Sequence, residues 1–183
     1  DWARRRVPQA DLRLQDYRDV GRSGERYDHV VSIEMFEAVG ERYWPDYFRT
    51  IAAVLKPGGR ALIQSIVIAD ELFARYRRGT DFIQQYVFPG GMLPSRTAFR
   101  EAARKQGLQV SGEFAFGLDY ARTLACWRDA FEANWPRVAA LGFDERFRRL
   151  WRMYLAYCEA GFNSGDVDVH HYVFAHAGEG GRG

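Results

Sequence analysis

The succession YDHVVSI, RYWPDYFRTIAAVL, KPGG and RALIQSIVI over residues 27–68 restricts this chain more than any other feature. The first and last runs read as strands, and the first is apolar enough to be covered on both faces. Between them, Trp44, Tyr47, Phe48, Ile51, Val54 and Leu55 recur at helical spacing, with Arg42, Asp46 and Arg49 on the opposite side. Pro45 is tolerated in a first helical turn, and KPGG stops the helix and turns the chain. A strand, a helix and a strand in that order form a crossover, so the centre of the sheet is predicted to be parallel.

The flanking segments extend this pattern. Residues 1–6 read as the last turns of a helix, and LRLQ at 12–15 alternates as a short strand. Residues 69–95 are too long and too aromatic for a plain connection, and are predicted to be a helical insertion lying over the sheet edge. RTAFREAARKQG reads as a helix ended by glycine, LQVSGEFAFG as a strand, 124–140 and 143–160 as helices, and DVHHYVFAH as a closing strand. The class is α/β with a mostly parallel sheet whose last strands pair antiparallel. GEGGRG reads as the disordered end of a tail spanning 177–183.

Composition removes several classes. With 47% hydrophobic and 27% charged residues, and no apolar run long enough for a bilayer, the chain reads as a soluble globular domain. No secretory signal opens it, and a net charge of +2 gives no case for nucleic acid. Cys126 and Cys158 supply neither a disulfide framework nor zinc spacing, so a reducing, cytoplasmic setting is the default. His170 and His171 are adjacent in a strand, point to opposite faces and read as packing. The aromatic share of 15% is high enough to suit a pocket for a long apolar ligand as well as a core.

Ligands of open α/β sheets bind beyond the carboxyl ends of the strands. Asp16, Tyr17, Glu34, Glu37, Gln64 and Ser65 gather at three such ends. For Glu37 two readings stand: a surface carboxylate favoured by the following helix dipole, or a base, or the anchor of one, at the mouth of the sheet.

A set of segments in order, LQDYRD, VSIEMFEAVG, LKPGGRALIQSI, DFIQQYVFPGGMLPS, FGLDYARTL, CWRDAFEANWP and YLAYCEAGF, resembles the catalytic domain of the cyclopropane-fatty-acyl-phospholipid synthases and mycolic acid cyclopropane synthases. The similarity runs from about residue 10 to 176, and YVFPGGMLPS with GLDY is its most specific part. It implies a Rossmann-like class I S-adenosylmethionine-dependent methyltransferase sheet with helical lipid-binding insertions. The implied reaction is methyl transfer to the cis double bond of an unsaturated phospholipid acyl chain, followed by proton loss to a bound bicarbonate and ring closure. The alkene must be held against the methyl donor, and the resulting cation needs a water-free tunnel.

The same resemblance assigns Glu37, Gln64, Ile66 and Tyr120 to bicarbonate, and Asp16, Tyr17 and Arg18 to the cofactor, with Tyr17 and Arg18 flanking its adenine. It places Cys158 on a cysteine long regarded as an active-site residue, although a mid-helix thiol among apolar neighbours is chemically inert packing. Catalytic roles thus fall on Glu37, Gln64, Tyr120 and Cys158.

Two departures accompany it. Gln64 stands where the family has a histidine; its amide can donate to an anion but cannot titrate near neutral pH, which opens a methylene- or methyl-branched product beside the ring. The glycine-rich cofactor loop, the first strands and an upstream bicarbonate-contacting cysteine have no counterpart, so residues 1–176 read as a partial catalytic domain. Three expectations follow on partners. Basic, aromatic runs at 75–78 and 145–152 would serve peripheral docking on the inner membrane surface. An open sheet edge would favour a homodimer. A different acceptor, or a non-catalytic lipid- or partner-binding role, stands as the competing assignment.

Overall fold

In the computed structural model, residues 1–178 are described. Four strands, β1 (Tyr27–Ile33), β2 (Leu55–Ile68), β3 (Leu108–Ala115) and β4 (Val167–His176), form one sheet in the order β1-β2-β4-β3. Only β1 and β2 are parallel; β4 pairs antiparallel with both β2 and β3. The expectation of a mostly parallel sheet is therefore corrected for the described strands: one crossover supplies one parallel pair, and the last strand returns between β2 and β3.

The nine α-helices of the described residues are α1 (Trp2–Arg6), α2 (Tyr17–Val20), α3 (Trp44–Val54), α4 (Asp70–Tyr76), α5 (Phe82–Tyr86), α6 (Arg96–Arg104), α7 (Gly117–Ala133), α8 (Trp135–Ala139) and α9 (Glu145–Ser164), and Phe36–Ala38 and Glu41–Tyr43 form short 3-10 turns. The crossover helix α3 begins with Pro45 in its first turn and buries Trp44, Tyr47, Phe48, Ile51 and Val54, the stripe its spacing predicts. With α6 it covers one face of the sheet around Phe36, Ile63, Phe99, Tyr172 and Phe174. On the other face α7 and α9 pack Ala121, Leu124, Leu155 and Phe162 against Val169 and Ile66.

Four local expectations need correction. LRLQ forms no strand: no described strand lies beside it to complete a ladder, and Leu14 is fully exposed. β1 is covered on one face only, with Val31 and Ile33 turned outward. KPGG lies within β2 rather than before it. The ladder to β1 shifts register between Tyr27 and His29, and Gly58 absorbs the irregularity at φ +75°. The helix expected from residue 124 starts at Gly117, where the amide donates to Asp168 Oδ1 at 2.9 Å. A Cβ there would come within 2.5 Å of that oxygen, so the close approach requires glycine. In the tail, Ala177 and Gly178 form a turn, and 179–183 lie outside the described residues.

Candidate active site

The site is built on the turn that follows β1. Glu34 sits at φ +48°, in the left-handed region that costs a non-glycine residue about 1–2 kcal/mol. Its amide donates to the Gln64 carbonyl at 3.0 Å, extending the β1–β2 ladder one step past the strand. Two residues on, Phe36 is fully buried among the rings of α3 and α6, and this anchor turns Glu37 back toward the sheet. The Glu37 carbonyl accepts from the Met92 amide at 2.8 Å, tying the turn to the 69–95 insertion.

Glu37 and Glu34 then meet different surroundings. Glu37 Oε1 accepts from the Ile66 amide at 2.6 Å and from Ser65 Oγ at 3.1 Å. Glu37 Oε2 is buried with no hydrogen-bond partner among the described residues. Burial pushes this carboxyl above the usual glutamate range, against the opposing pull of the Ile66 amide. In that interval the folded chain holds the proton more tightly than the unfolded one, so ionising Glu37 as pH rises lowers stability.

Glu34 Oε1 accepts twice, from Gln64 Nε2 at 2.7 Å and from the Tyr120 hydroxyl at 2.8 Å. Gln64 Oε1 lies 2.8 Å from His171 Nε2, directly across the β2–β4 register. Because the Gln64 amide nitrogen donates to Glu34, its oxygen must accept, which assigns the shared hydrogen to His171 Nε2. Burial, followed by the Glu34 hydrogen bond, raises the Tyr120 pKa and keeps the phenol protonated.

These groups open onto a cavity of about 1100 Å³, beyond the carboxyl ends of β1 and β2. Typical small-ligand pockets span about 300–1,000 Å³, so there is room for a long flexible substrate. The insertion and α9 line it with Tyr76, Phe88, Tyr154 and Tyr157, and α7 contributes Tyr120 and Trp127. A smaller depression of about 260 Å³ between Arg128, Arg149 and Arg152 holds none of the candidate groups. Among the described residues no cluster could hold a metal ion.

The cavity brings together Glu37, Ile66, Tyr120 and Cys158, while Gln64 stands behind Glu34 and supports it. It does not include Asp16, Tyr17 or Arg18. Asp16 caps α2 by accepting from the Arg18 amide at 2.9 Å, and its carboxylate holds the Arg18 guanidinium at 2.6 Å. That pairing keeps the Asp16 pKa down at about 2. Tyr17 packs edge-on to Tyr47, whose hydroxyl donates to Ser32 Oγ at 2.7 Å. The trio therefore sits at the same end of the sheet as Glu34, outside the cavity.

Sequence reasoning missed Glu34 as a junction and His171 as the support of Gln64. The adjacent histidines do point to opposite faces, as alternation requires. His170 is buried against Glu113 at 2.6 Å, and His171 faces the site. The signal for His171 was its partner across the ladder, which alternation alone does not identify.

Burial, then the nearby charge of Asp81, pushes the Cys158 thiol up to about 12. A nucleophilic or alkylatable role requires the thiolate. With iodoacetamide near pH 8, exposed Cys126 is expected to react first, and Cys158 at least about 100-fold more slowly. Equal rates by peptide mass mapping would show an accessible, ionised Cys158.

The sheet and its flanking helices have the fold of solved S-adenosylmethionine-dependent methyltransferases. Among solved structures, a mycolic acid cyclopropane synthase complexed with SAH and CTAB superposes with a TM-score of 0.81 at 26% identity, covering 94% of this chain and 64% of that one. Coclaurine N-methyltransferase, bound to N-methylheliamine and SAH, shares the fold with a TM-score of 0.67 at 20% identity, over 94% of this chain and 55% of that one.

The chain belongs to the mycolic acid cyclopropane synthetase family, whose sequence profile matches residues 3–172. It is 42% identical, over 96% of its length, to a tuberculostearic acid methyltransferase of Mycobacterium tuberculosis. It is 33% identical, over 92%, to the cyclopropane-fatty-acyl-phospholipid synthase of Escherichia coli. In each case it spans 42% of the relative's length.

Proposed function

We propose that this chain forms part of an enzyme that transfers a methyl group from S-adenosylmethionine to the cis double bond of an unsaturated phospholipid acyl chain. The observation that supports this most is the aromatic-lined cavity of about 1100 Å³ with Glu37 and Tyr120 in its wall. Apolar walls hold a flexible chain in line and exclude the water that would trap a cation. The methyl donor supplies an electrophilic sulfonium methyl. Tyr17 and Arg18 suit its adenine, because Asp16 fixes the guanidinium beside a ring already oriented by Tyr47. Exposed Tyr86, Phe88 and Trp127, with Arg75 in the cavity wall, suit docking on an anionic bilayer from which the acyl chain enters.

Bicarbonate does not fit the residues as they are arranged. Of the groups that the resemblance assigns to it, the Ile66 amide is held by Glu37, and the Gln64 amide and Tyr120 hydroxyl are held by Glu34. A further anion would meet two carboxylates with only the second N–H of the Gln64 amide uncommitted, so no step is drawn through it. A cyclopropane is the first product expected. A methylene or methyl branch is the second, favoured by Gln64 in place of a titratable histidine and by the 42% identity to a tuberculostearic acid methyltransferase.

The test combines purified protein, methyl-labelled S-adenosylmethionine and unsaturated phospholipid vesicles made with and without anionic lipid. Mass analysis of the released fatty acids should show a gain of one CH2, faster on anionic vesicles, with fragmentation separating ring from branch. Cofactor binding without any lipid product would overturn the reading.

A further inference from the structure

The line of hydrogen bonds that starts at the cavity wall continues well behind it. Tyr120 and Glu34 line the cavity, Gln64 stands behind Glu34, and His171 stands behind Gln64. These residues come from α7, the turn after β1, β2 and β4.

Sheet register brings the two rear members together. Ile33, Gln64, His171 and Phe114 are direct neighbours across β1, β2, β4 and β3, so they form one row on one face of the sheet. Rings hold the imidazole in that row: Phe116 lies 4.8 Å away at 64°, and Phe114 lies 6.4 Å away at 47°. The adjacent His170 faces the other side and pairs with Glu113, so it cannot take the same place.

The chain of bonds also has a direction. A carboxylate only accepts, and Glu34 Oε1 takes hydrogens from both the Tyr120 hydroxyl and the Gln64 amide. A carboxamide has two orientations of nearly the same shape, and only one offers an N–H to Glu34. Turned over, Gln64 would set its oxygen against Glu34 Oε1, where the donor nitrogen now lies at 2.7 Å, and two acceptors would meet. His171 Nε2, 2.8 Å from Gln64 Oε1, donates to the first orientation and opposes the second.

We infer that His171 is a positioning residue of the reaction: through Gln64 it fixes the Glu34 carboxylate, and with it the Tyr120 hydroxyl, at the cavity wall. This rests on the methyl-transfer reading above. His171 is not part of the cavity wall itself and acts only through its neighbours.

The effect of losing it differs from that of losing a binding residue. Tyr76, Phe88 and Tyr157 supply apolar wall on the far side of the cavity's polar groups and take no part in this line of bonds. Without His171 the amide is free to turn, and Glu34 and Tyr120 shift while that wall stays in place. Such a displacement slows the bound complex and leaves its formation nearly unchanged.

The test has a spectroscopic arm and a turnover arm. The sequence holds four histidines, so the ring resonances can be assigned, with His171→Gln marking the one that disappears. In 15N-histidine-labelled wild type, in alkaline buffer where an imidazole carries one hydrogen, that hydrogen should sit on Nε2 of His171. A hydrogen on Nδ1 would overturn the inference, whether or not the protein transfers methyl groups.

In the turnover arm, His171→Leu should lower kcat at least about 10-fold, with KM for lipid within about twofold of wild type. His171→Gln puts an amide nitrogen where Nε2 was and should recover most of that loss. His171→Asn puts it where Nδ1 was and should stay slow, so these two polar variants decide the arm if His171→Leu does not fold. On a Gln64→Leu background, His171→Leu should cost less than about a further twofold, because nothing remains for it to act through. Losses that multiply, a loss confined to KM, or equal rates for the Gln and Asn variants would make His171 a packing residue. Each would overturn the inference and leave the methyl-transfer reading standing. Absence of any product from wild type would overturn that reading and the inference with it.

Discussion

Phe36→Ala is expected to lower the unfolding free energy by about 3–5 kcal/mol, the largest effect of any single truncation in this site. The ring is fully buried, with centroids 4.8 Å from Phe99, 5.0 Å from Tyr47, 5.2 Å from Trp44 and 5.4 Å from Phe48. Removing it deletes one member of four aromatic pairs and leaves a hole between α3, α6 and the sheet. Its neighbours are large and held by one another, so the space cannot collapse cheaply. The loss should also reach the chemistry, because Phe36 is the anchor between Glu34 and Glu37. Urea unfolding followed by tryptophan fluorescence should show the midpoint fall at unchanged slope. Phe36→Leu should recover roughly half of the loss, since most of the volume returns without the ring edges. A change below about 1 kcal/mol for Phe36→Ala would mean that the turn is not held from the core.

Glu34→Gly is expected to separate stability from activity. The substitution relieves a left-handed backbone that costs glutamate about 1–2 kcal/mol. It also removes two side-chain hydrogen bonds, each contributing about 0.5–1.5 kcal/mol at a partly exposed position. These terms nearly offset, so the unfolding midpoint should move by no more than the equivalent of about 1 kcal/mol. Turnover should nevertheless fall by about 100-fold, because Tyr120 and Gln64 lose the oxygen that orients them. Strain retained in the native turn would then be explained by what the carboxylate positions. Parallel losses of stability and turnover would instead make Glu34 a structural residue, and unchanged turnover would remove it from the site.

Much of the framework was legible because local chemistry and tertiary packing agree over residues 27–68. Trp44, Tyr47, Phe48, Ile51 and Val54 repeat at the helical period and are the residues that α3 buries. The runs at 27–33 and 60–68 belong to the one parallel pair among the described strands. LRLQ shows the limit: alternation makes a strand possible, but only a hydrogen-bonded neighbour makes one, and none lies beside it among the described residues. Glu37, Ile66, Tyr120 and Cys158 were named in advance and share one cavity, whereas Asp16, Tyr17 and Arg18 lie outside it.

By itself the sequence determined the strand-helix-strand centre, the apolar stripe of α3, the aromatic insertion and the acidic pair after β1. Each of these depends on residues close together in the chain, where period and turn chemistry are decisive. Tertiary structure alone decided that β4 returns between β2 and β3, which places His171 against Gln64 and Gln64 against Glu34. It also decided which donors Glu34 and Glu37 occupy. Those contacts join residues separated by 28 to 107 positions, and hydrogen-bond partners at such distances are selected by sheet register and helix packing, not by any local pattern.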